Sequence, residues 1–445
     1  MFKRKVYEKL KNWKEKYSDS YSALLEGARR VGKSTIAEEF AKNEYKSYIK
    51  IDFANLKRDI KPILDDINDI DIFFLRLQTA TGIKLYKKES VILFDKIQLY
   101  PKARQAIKYL VKDGRYNYIE TGSFISIKKS VKDIVIPSEE YKIQVVPMDY
   151  EEFLWAISSD SYDLIRELYK TKQLVGEKLN NKLMRDFRMY MAVGGMPQVV
   201  DAYVTGKNFE EIEFVKQGIL NLYEDDFMKI DNSGRISKLY ASIPSSLALN
   251  KKRFVVSNAL EKRTTNKDKE LLYDIIDSKT VLMKNNVTDV SPALLQTKDL
   301  DNYKLYMADT GLFVSMLLND KSKVYEDIYL KILSNKLPIN LGFVYENLIA
   351  QMITSFGYEL YYHTWQKDNS SHSYEIDFLI PSETKVMPFE IKSSSPKNHN
   401  SLDEFKKKYS NYVAKQYILS PKDVKRENEL YFKPLYMLPF ILEEL

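Results

Sequence analysis

The chain contains no cysteine, which excludes disulfides and thiolate metal sites. Histidine is almost as scarce. His363, His372 and His399 all fall in the last fifth of the sequence and lack zinc-ligand spacing, so no histidine-held metal is expected. No apolar stretch approaches the ~20 residues that span a bilayer. The basic start, MFKRKVYEKLKNWKEKY, lacks the apolar core of a secretory signal. These absences point to a cytoplasmic protein with no membrane partner. Neither sign of charge dominates: 69 lysines and arginines face 62 acids, for a net charge of +7. That balance permits contact with nucleic acid without requiring it.

What is present is enough for several cores. A chain of 445 residues with 44% apolar content is expected to form two to four domains. Residues 1–150 alternate short apolar runs with helical patterns, the signature of a parallel α/β sheet. Strands are expected at 22–27, 47–53, 91–95, 116–122 and 141–148, with helices at 34–43 and 103–113. Residues 151–235 turn helical, as a lid would, and Gly194-Gly195 followed by Pro197 marks a tight turn between helices. In 236–330, short helices precede a strand pair, SKTVLMKN and YKLYMADTG, a pattern that suits a winged helix. Residues 331–445 read as α+β, with a helix at 342–357 followed by four strands. The fold class expected is therefore a multidomain α/β protein.

The run GARRVGKST fits the phosphate loop G-x-x-x-x-G-K-[ST], with an apolar strand before it and a helix pattern after it. Gly27 and Gly32 let backbone amides curl around phosphate oxygens without a Cβ in the way. Lys33 reaches the β- and γ-phosphates, Ser34 offers its hydroxyl to Mg²⁺, and Thr35 completes the nucleotide-binding run. Arg30 lies inside the loop, placed for phosphate, for a neighbouring subunit or for solvent. Asp95 ends the strand VILFD, where a magnesium-ordering carboxylate belongs. Thr121 and Ser123, in IETGS, are candidate sensors of the γ-phosphate. ATP and Mg²⁺ are thus the expected ligands. The residue after Asp95 is Lys96, where water activation calls for a carboxylate. An ammonium does not act as general base at neutral pH unless its pKa falls by several units. Glu26 and Glu120, at other strand ends, are the substitute bases the sequence offers.

At the far end, YEIDFLI and FEIKSS place Asp377 on one strand and Glu390 and Lys392 on the next. Residues 390 and 392 share a face, and a hairpin would bring Asp377 to them. Glu346, on the preceding helix, completes the set. Carboxylates around one point hold Mg²⁺ with water left in its shell, and Lys392 would then be catalytic, activating water for phosphodiester cleavage. On its own, E-x-K describes a solvated strand face. The order Glu, Asp, E-x-K resembles the PD-(D/E)xK nuclease superfamily.

Over nearly its whole length the chain resembles the prokaryotic AAA-type ATPases whose C-terminal domain is PD-(D/E)xK-like. The resemblance is carried by LLEGARRVGKST, ILFD-IQLYPKARQAIKYL, IETGS, PMDYEEFL, AVGGMPQVV, YKLYMADTGL, GFVYENLIAQ and EIDFLI…FEIKSS. The family pattern D-E-I-Q stands here as Asp95-Lys96-Ile97-Gln98. The resemblance implies ATP and Mg²⁺ binding, a winged-helix-like middle, a restriction-endonuclease-like end, DNA or another nucleic acid as partner, and a homo-oligomeric assembly. The basic runs at 250–253 and 261–269 are the sequence's candidates for phosphate contact. Three accounts stay open. One is an ATP-driven machine that cleaves or grips nucleic acid; another is a nucleotide-controlled binding protein whose nuclease-like domain does not cleave. The third is a Mg²⁺-dependent nuclease that carries a degenerate ATPase.

Overall fold

The computed structural model describes every residue except 66, 68, 124–134, 250, 262, 318–324, 335–341, 369 and 395–398. Asn250 and Lys262, in the two basic runs, lie outside the described residues. The chain divides into two compact units, Met1–Val146 with Asp277–Lys279, and Pro147–Ile276 with Thr280–Leu445.

The first unit is built on five parallel strands: β1 (Ser22–Gly27), β2 (Ser47–Asp52), β3 (Ser90–Asp95), β4 (Asn117–Ser123) and β5 (Glu140–Gln144). Their order across the sheet is β2-β3-β4-β1-β5. Every residue of β3 is buried, as expected of a strand covered on both faces. Helix Pro101–Asp113 shows how sequence sets an element. Pro101 stands at its first position, and Gly114, at φ 71°, ends it in the left-handed conformation. Ala103, Ala106, Ile107 and Leu110 recur at helical spacing and bury one face against Phe94 and Tyr118 of the same core. Burial of Ile107 and Leu110 contributes about 1.5–3 kcal/mol each. The basic start is itself a helix, α1 (Lys5–Lys16), whose stripe of Val6, Leu10 and Trp13 is buried while its lysines stay wet.

The second unit begins with helices. Two of them, Tyr150–Ala156 and Phe209–Ile230, start with reciprocal capping boxes, Asp149 with Glu152 and Asn208 with Glu211. The turn expected at Gly194-Gly195 joins helices Glu177–Val193 and Pro197–Val204. A Cβ on Gly195 would lie 2.0 Å from the Met148 carbonyl, so only glycine fits there.

An eight-stranded mixed sheet follows, formed by β6 (Val281–Val287), β7 (Lys298–Met307), β8 (Leu360–Gln366), β9 (Ser373–Ser382), β10 (Lys385–Ile391), β11 (Gln416–Ser420), β12 (Lys425–Glu427) and β13 (Leu430–Pro434). The order is β12-β13-β11-β10-β9-β8-β6-β7. Here one expectation changes. The hairpin read as the wing of a winged helix is β6-β7, and β6 pairs in parallel with β8 through Lys284–Leu360. It therefore extends the C-terminal sheet across position 330. The physical reason is nonlocal: β8 would otherwise present an open edge, and the hairpin closes it.

Candidate functional site

In the first unit, β1 runs into the loop 27–32 and then into α2 (Lys33–Glu44). Gly32 sits at φ 93° and Arg30 at φ 69°, the curled backbone that turns amides inward toward an anion. A Cβ on Gly27 would lie 2.1 Å from the Val145 carbonyl. Arg4, buried just ahead of α1, donates to Val31 O at 3.0 Å and to Val146 O at 2.7 Å. It pins the loop from outside, and nothing in the motif announced it.

The Lys33 ammonium donates to Gly27 O (3.1 Å) and Ala28 O (2.6 Å), so loop carbonyls hold it. Burial pushes its pKa down to about 8, against the pull of Asp95. Ser34 Oγ donates to Asp95 Oδ1 at 2.5 Å, and the Thr121 hydroxyl donates to the same oxygen. The parallel register that sets Asp95 beside Thr121 brings these side chains together. Ser123 ends the same strand, Thr35 is exposed at the start of α2, and Arg30 is exposed on the loop. Glycines at the turn, amides at a helix N-terminus, an ammonium and a hydroxyl–carboxylate pair are the donor set that Mg·ATP requires, so the residues fit that group.

Lys96 adopts the left-handed conformation, φ 61° and ψ 48°, which is uncommon for a side chain of its size. Its backbone N–H donates to Thr121 Oγ1 at 3.1 Å. Its ammonium reaches the end of β2 and donates to both oxygens of Asp52, at 3.0 and 3.2 Å. Asp52 stands level with Asp95 in the parallel register of β2 and β3. Burial works to raise the Asp52 carboxyl, but the hydrogen bonds from Lys96 and Ala54 N and the charges of Lys96 and Lys50 together outweigh it, so its pKa is lowered. Glu120 does not serve as the substitute base. Alternation along β4 turns it away from Thr121 and Asp95, and it is buried, accepting from Ser22 Oγ at 2.7 Å. Burial and the Glu140 carboxylate raise its pKa to about 8. Glu26 is also raised by burial, with Glu140 and Arg104 among its charged neighbours.

The second site lies in the second unit. Strands β9 and β10 form the expected antiparallel pair, and Asp377 Oδ2 accepts from Ile391 N at 2.7 Å. Glu390 is engaged by the Lys392 ammonium. Among the described residues, the carboxylates with oxygens within 4.8 Å of one another are Glu346, Glu375 and Asp377. Glu375 was not among the expected ligands, although its i, i+2 spacing from Asp377 put both on one strand face. Two buried lysines of the β6-β7 hairpin enter the same cluster. Lys284 Nζ donates to Glu346 Oε1 at 2.6 Å and to Asp377 O at 2.8 Å, and Lys304 donates to Glu375. Burial would raise Glu346, yet Lys284 and Lys304 hold it well below the usual carboxylate range. Asp377 is pushed up by burial and by the Glu346 and Glu390 carboxylates. The set differs from a cluster of acids alone, because ammonium groups already engage one oxygen of Glu346 and one of Glu375.

Residues 19–154 match the family model described as AAA domain. With the phosphate loop and parallel sheet they carry, the match supports a P-loop ATPase domain there. Residues 184–323 match a domain of unknown function, DUF8612, and residues 341–437 match another, DUF4143. No curated protein matches the chain. Among solved structures, the Walker-type ATPase paby2304 of Pyrococcus abyssi is 17% identical, with 71% of this chain and 96% of that one covered and a TM-score of 0.42. The STAND protein PH0952 of Pyrococcus horikoshii, which has a tetratricopeptide repeat sensor, is 11% identical over 77% of this chain and 47% of its own, at a TM-score of 0.27. Can2 of Sulfobacillus thermosulfidooxidans, solved with cyclic tetra-adenylate, is 12% identical over 89% and 98%, at 0.18. At TM-scores this low, these likenesses carry no weight for the chemistry below.

Proposed function

We propose that the chain is a Mg·ATP-binding switch with slow turnover, in which the nucleotide state of the AAA-type domain governs a nuclease-like second unit that engages nucleic acid. The observation that carries the first half is the pairing of Lys96 with Asp52 beside Asp95. Gly27, Gly32, Lys33, Ser34 and Thr35 would hold the phosphates, and Ser34 and Asp95 would hold the metal. Mg²⁺, when bound, draws charge off the phosphate oxygens. Thr121 orients Asp95, and Ser123 lies at the same strand end. Arg30, exposed on the loop, is free to approach the phosphate tail. Nothing in this set takes a proton from water, because the Lys96 ammonium is cationic and the Asp52 carboxylate is engaged by it. Nucleotide binding then outlasts chemistry, as a switch requires.

A second reading, in which Asp52 itself orients the attacking water and Lys96 steadies it, is favoured by the level register of Asp52 and Asp95. For the second unit, an open cleft of about 530 Å³ supports an anionic partner such as DNA. It is lined by Arg185, Arg188 and Lys422, with Ser393 and Ser394 just beyond Lys392.

The test is steady-state ATP hydrolysis of the chain and of Lys96→Glu, with nucleotide affinity measured for both. A glutamate at 96 would face Asp52, and two neighbouring carboxylates raise one another's pKa toward the working range. Turnover is expected to rise about 10²-fold or more at similar affinity. Equal rates in both proteins would reject the switch. If those rates were also abolished in Asp52→Asn, the second reading would stand.

A further inference from the structure

We propose that the Lys284 ammonium is the built-in cation of the Glu346–Glu375–Asp377 cluster, standing where a nuclease-like fold would hold a divalent metal, so that the second unit binds no metal there and cleaves no phosphodiester. This takes from the nuclease-like reading only the expectation of a metal; the ATP site plays no part in it.

Four observations support the assignment. First, Lys284 is fully buried and donates to one carboxylate, Glu346, and to the backbone carbonyl of another acid, Asp377. Oxygens of these two kinds are what a hard cation would take from the protein. Second, every acid of the set accepts at least one hydrogen bond, although Glu390 Oε2 is buried without a partner. Tyr306 donates to Glu346, Lys304 to Glu375, Ile391 N to Asp377 and Lys392 to Glu390. Third, the walls are aromatic: the Lys284 Nζ lies 4.2 Å from the ring centre of Phe378, 5.0 Å from Tyr306 and 5.2 Å from Tyr362. Such faces stabilise a desolvated ammonium, whereas Mg²⁺ keeps several waters in its shell, which aromatic faces hold poorly.

The fourth observation concerns charge. Lys284 and Lys304 stand directly opposite one another on β6 and β7. Facing like charges destabilise a strand pair unless carboxylates lie between, as Glu346 and Glu375 do. Three acids against two ammonium groups leave little net charge to attract a divalent ion. A metal would also meet two cations at close range.

The measurement is Mn²⁺ binding by calorimetry on the full chain without nucleotide, in an Asp95→Asn background that removes the first-unit carboxylate. With Lys284 in place, no binding tighter than millimolar is expected. Lys284→Met, which removes the charge and keeps the bulk, should bind at least about tenfold more tightly, and adding Asp377→Asn should reverse the gain. If Lys284→Met does not fold, Lys284→Gln, which keeps a donor toward Glu346, serves in its place. Mn²⁺ binding by the Lys284 chain that disappears with Asp377→Asn would overturn the proposal and leave the nuclease-like reading standing. Absence of binding in every variant would overturn both.

Discussion

A lysine in a phosphate loop must be charged to hold phosphate, yet Lys33 is buried, and burial lowers its pKa to about 8. The free loop answers by offering carbonyl oxygens to the ammonium, and ATP would offer far more negative charge. Binding therefore favours the protonated form. The sign follows: below pH 8 the lysine is already charged and affinity is flat; above it, binding must first recover a proton. ATP affinity is expected to fall by up to about tenfold per pH unit above 8, with proton uptake visible as a dependence of the calorimetric heat on the buffer's ionisation enthalpy. In Lys33→Arg, which stays charged, affinity should be weaker and indifferent to pH over that range. An affinity in the unaltered chain that stays flat to pH 9.5 would sink this account.

At the scale of the element, the first unit's sheet ends at β5, and that edge is tied down by one buried pair. Arg104, on helix Pro101–Asp113, donates through Nε and Nη2 to both oxygens of Glu140, each at 2.7 Å, with the two side chains only 3% and 2% exposed. Breaking such a pair from one side leaves a charge buried without its partner. Arg104→Ala is expected to cost about 3–5 kcal/mol of stability, and Arg104→Ala/Glu140→Gln less than that; chemical denaturation of the three proteins would show it. Equal losses in the single and double variants would reject a burdened Glu140.

The same scale shows what the sequence could reveal. The strands of the first sheet lie within a residue or so of their expected starts, because each is a short apolar run bounded by turn residues. Only the far end of β5 falls short, at Gln144 against 148. The phosphate loop was legible because its chemistry is local: eight consecutive positions, 27–34, do the work. Lys96 and Asp52 were both in plain sight, at the ends of adjacent parallel strands, but their pairing depends on the strand order β2-β3, which no single stretch encodes. Lys284 was harder still. A lysine in an amphipathic strand ordinarily faces water, and only the docking of β6 against β8 turns it inward. Arg4 belongs to the same class, a cation whose partners lie 27 and 142 residues away.

For the molecule as a whole, two compact units, each with its own sheet and its own buried core, imply two unfolding events. Mg·ATP at about 100 times its Kd should stabilise the first by about 2.7 kcal/mol, raising one calorimetric transition by roughly 5–11 °C and leaving the other in place. A single transition that moves as one would contradict this. Arg4 gives the molecule a history as well as a shape. Its two acceptors are Val31 and Val146, and β1, which leads into the loop, pairs with β4 and β5. On the ribosome, the loop is made well before the last of these partners that fix it. At about 5–20 residues per second, roughly 7–30 s pass between Arg4 leaving the synthesis centre and Val146 arriving to meet it. During that interval the nascent chain carries every residue of the loop and still has no finished pocket for ATP.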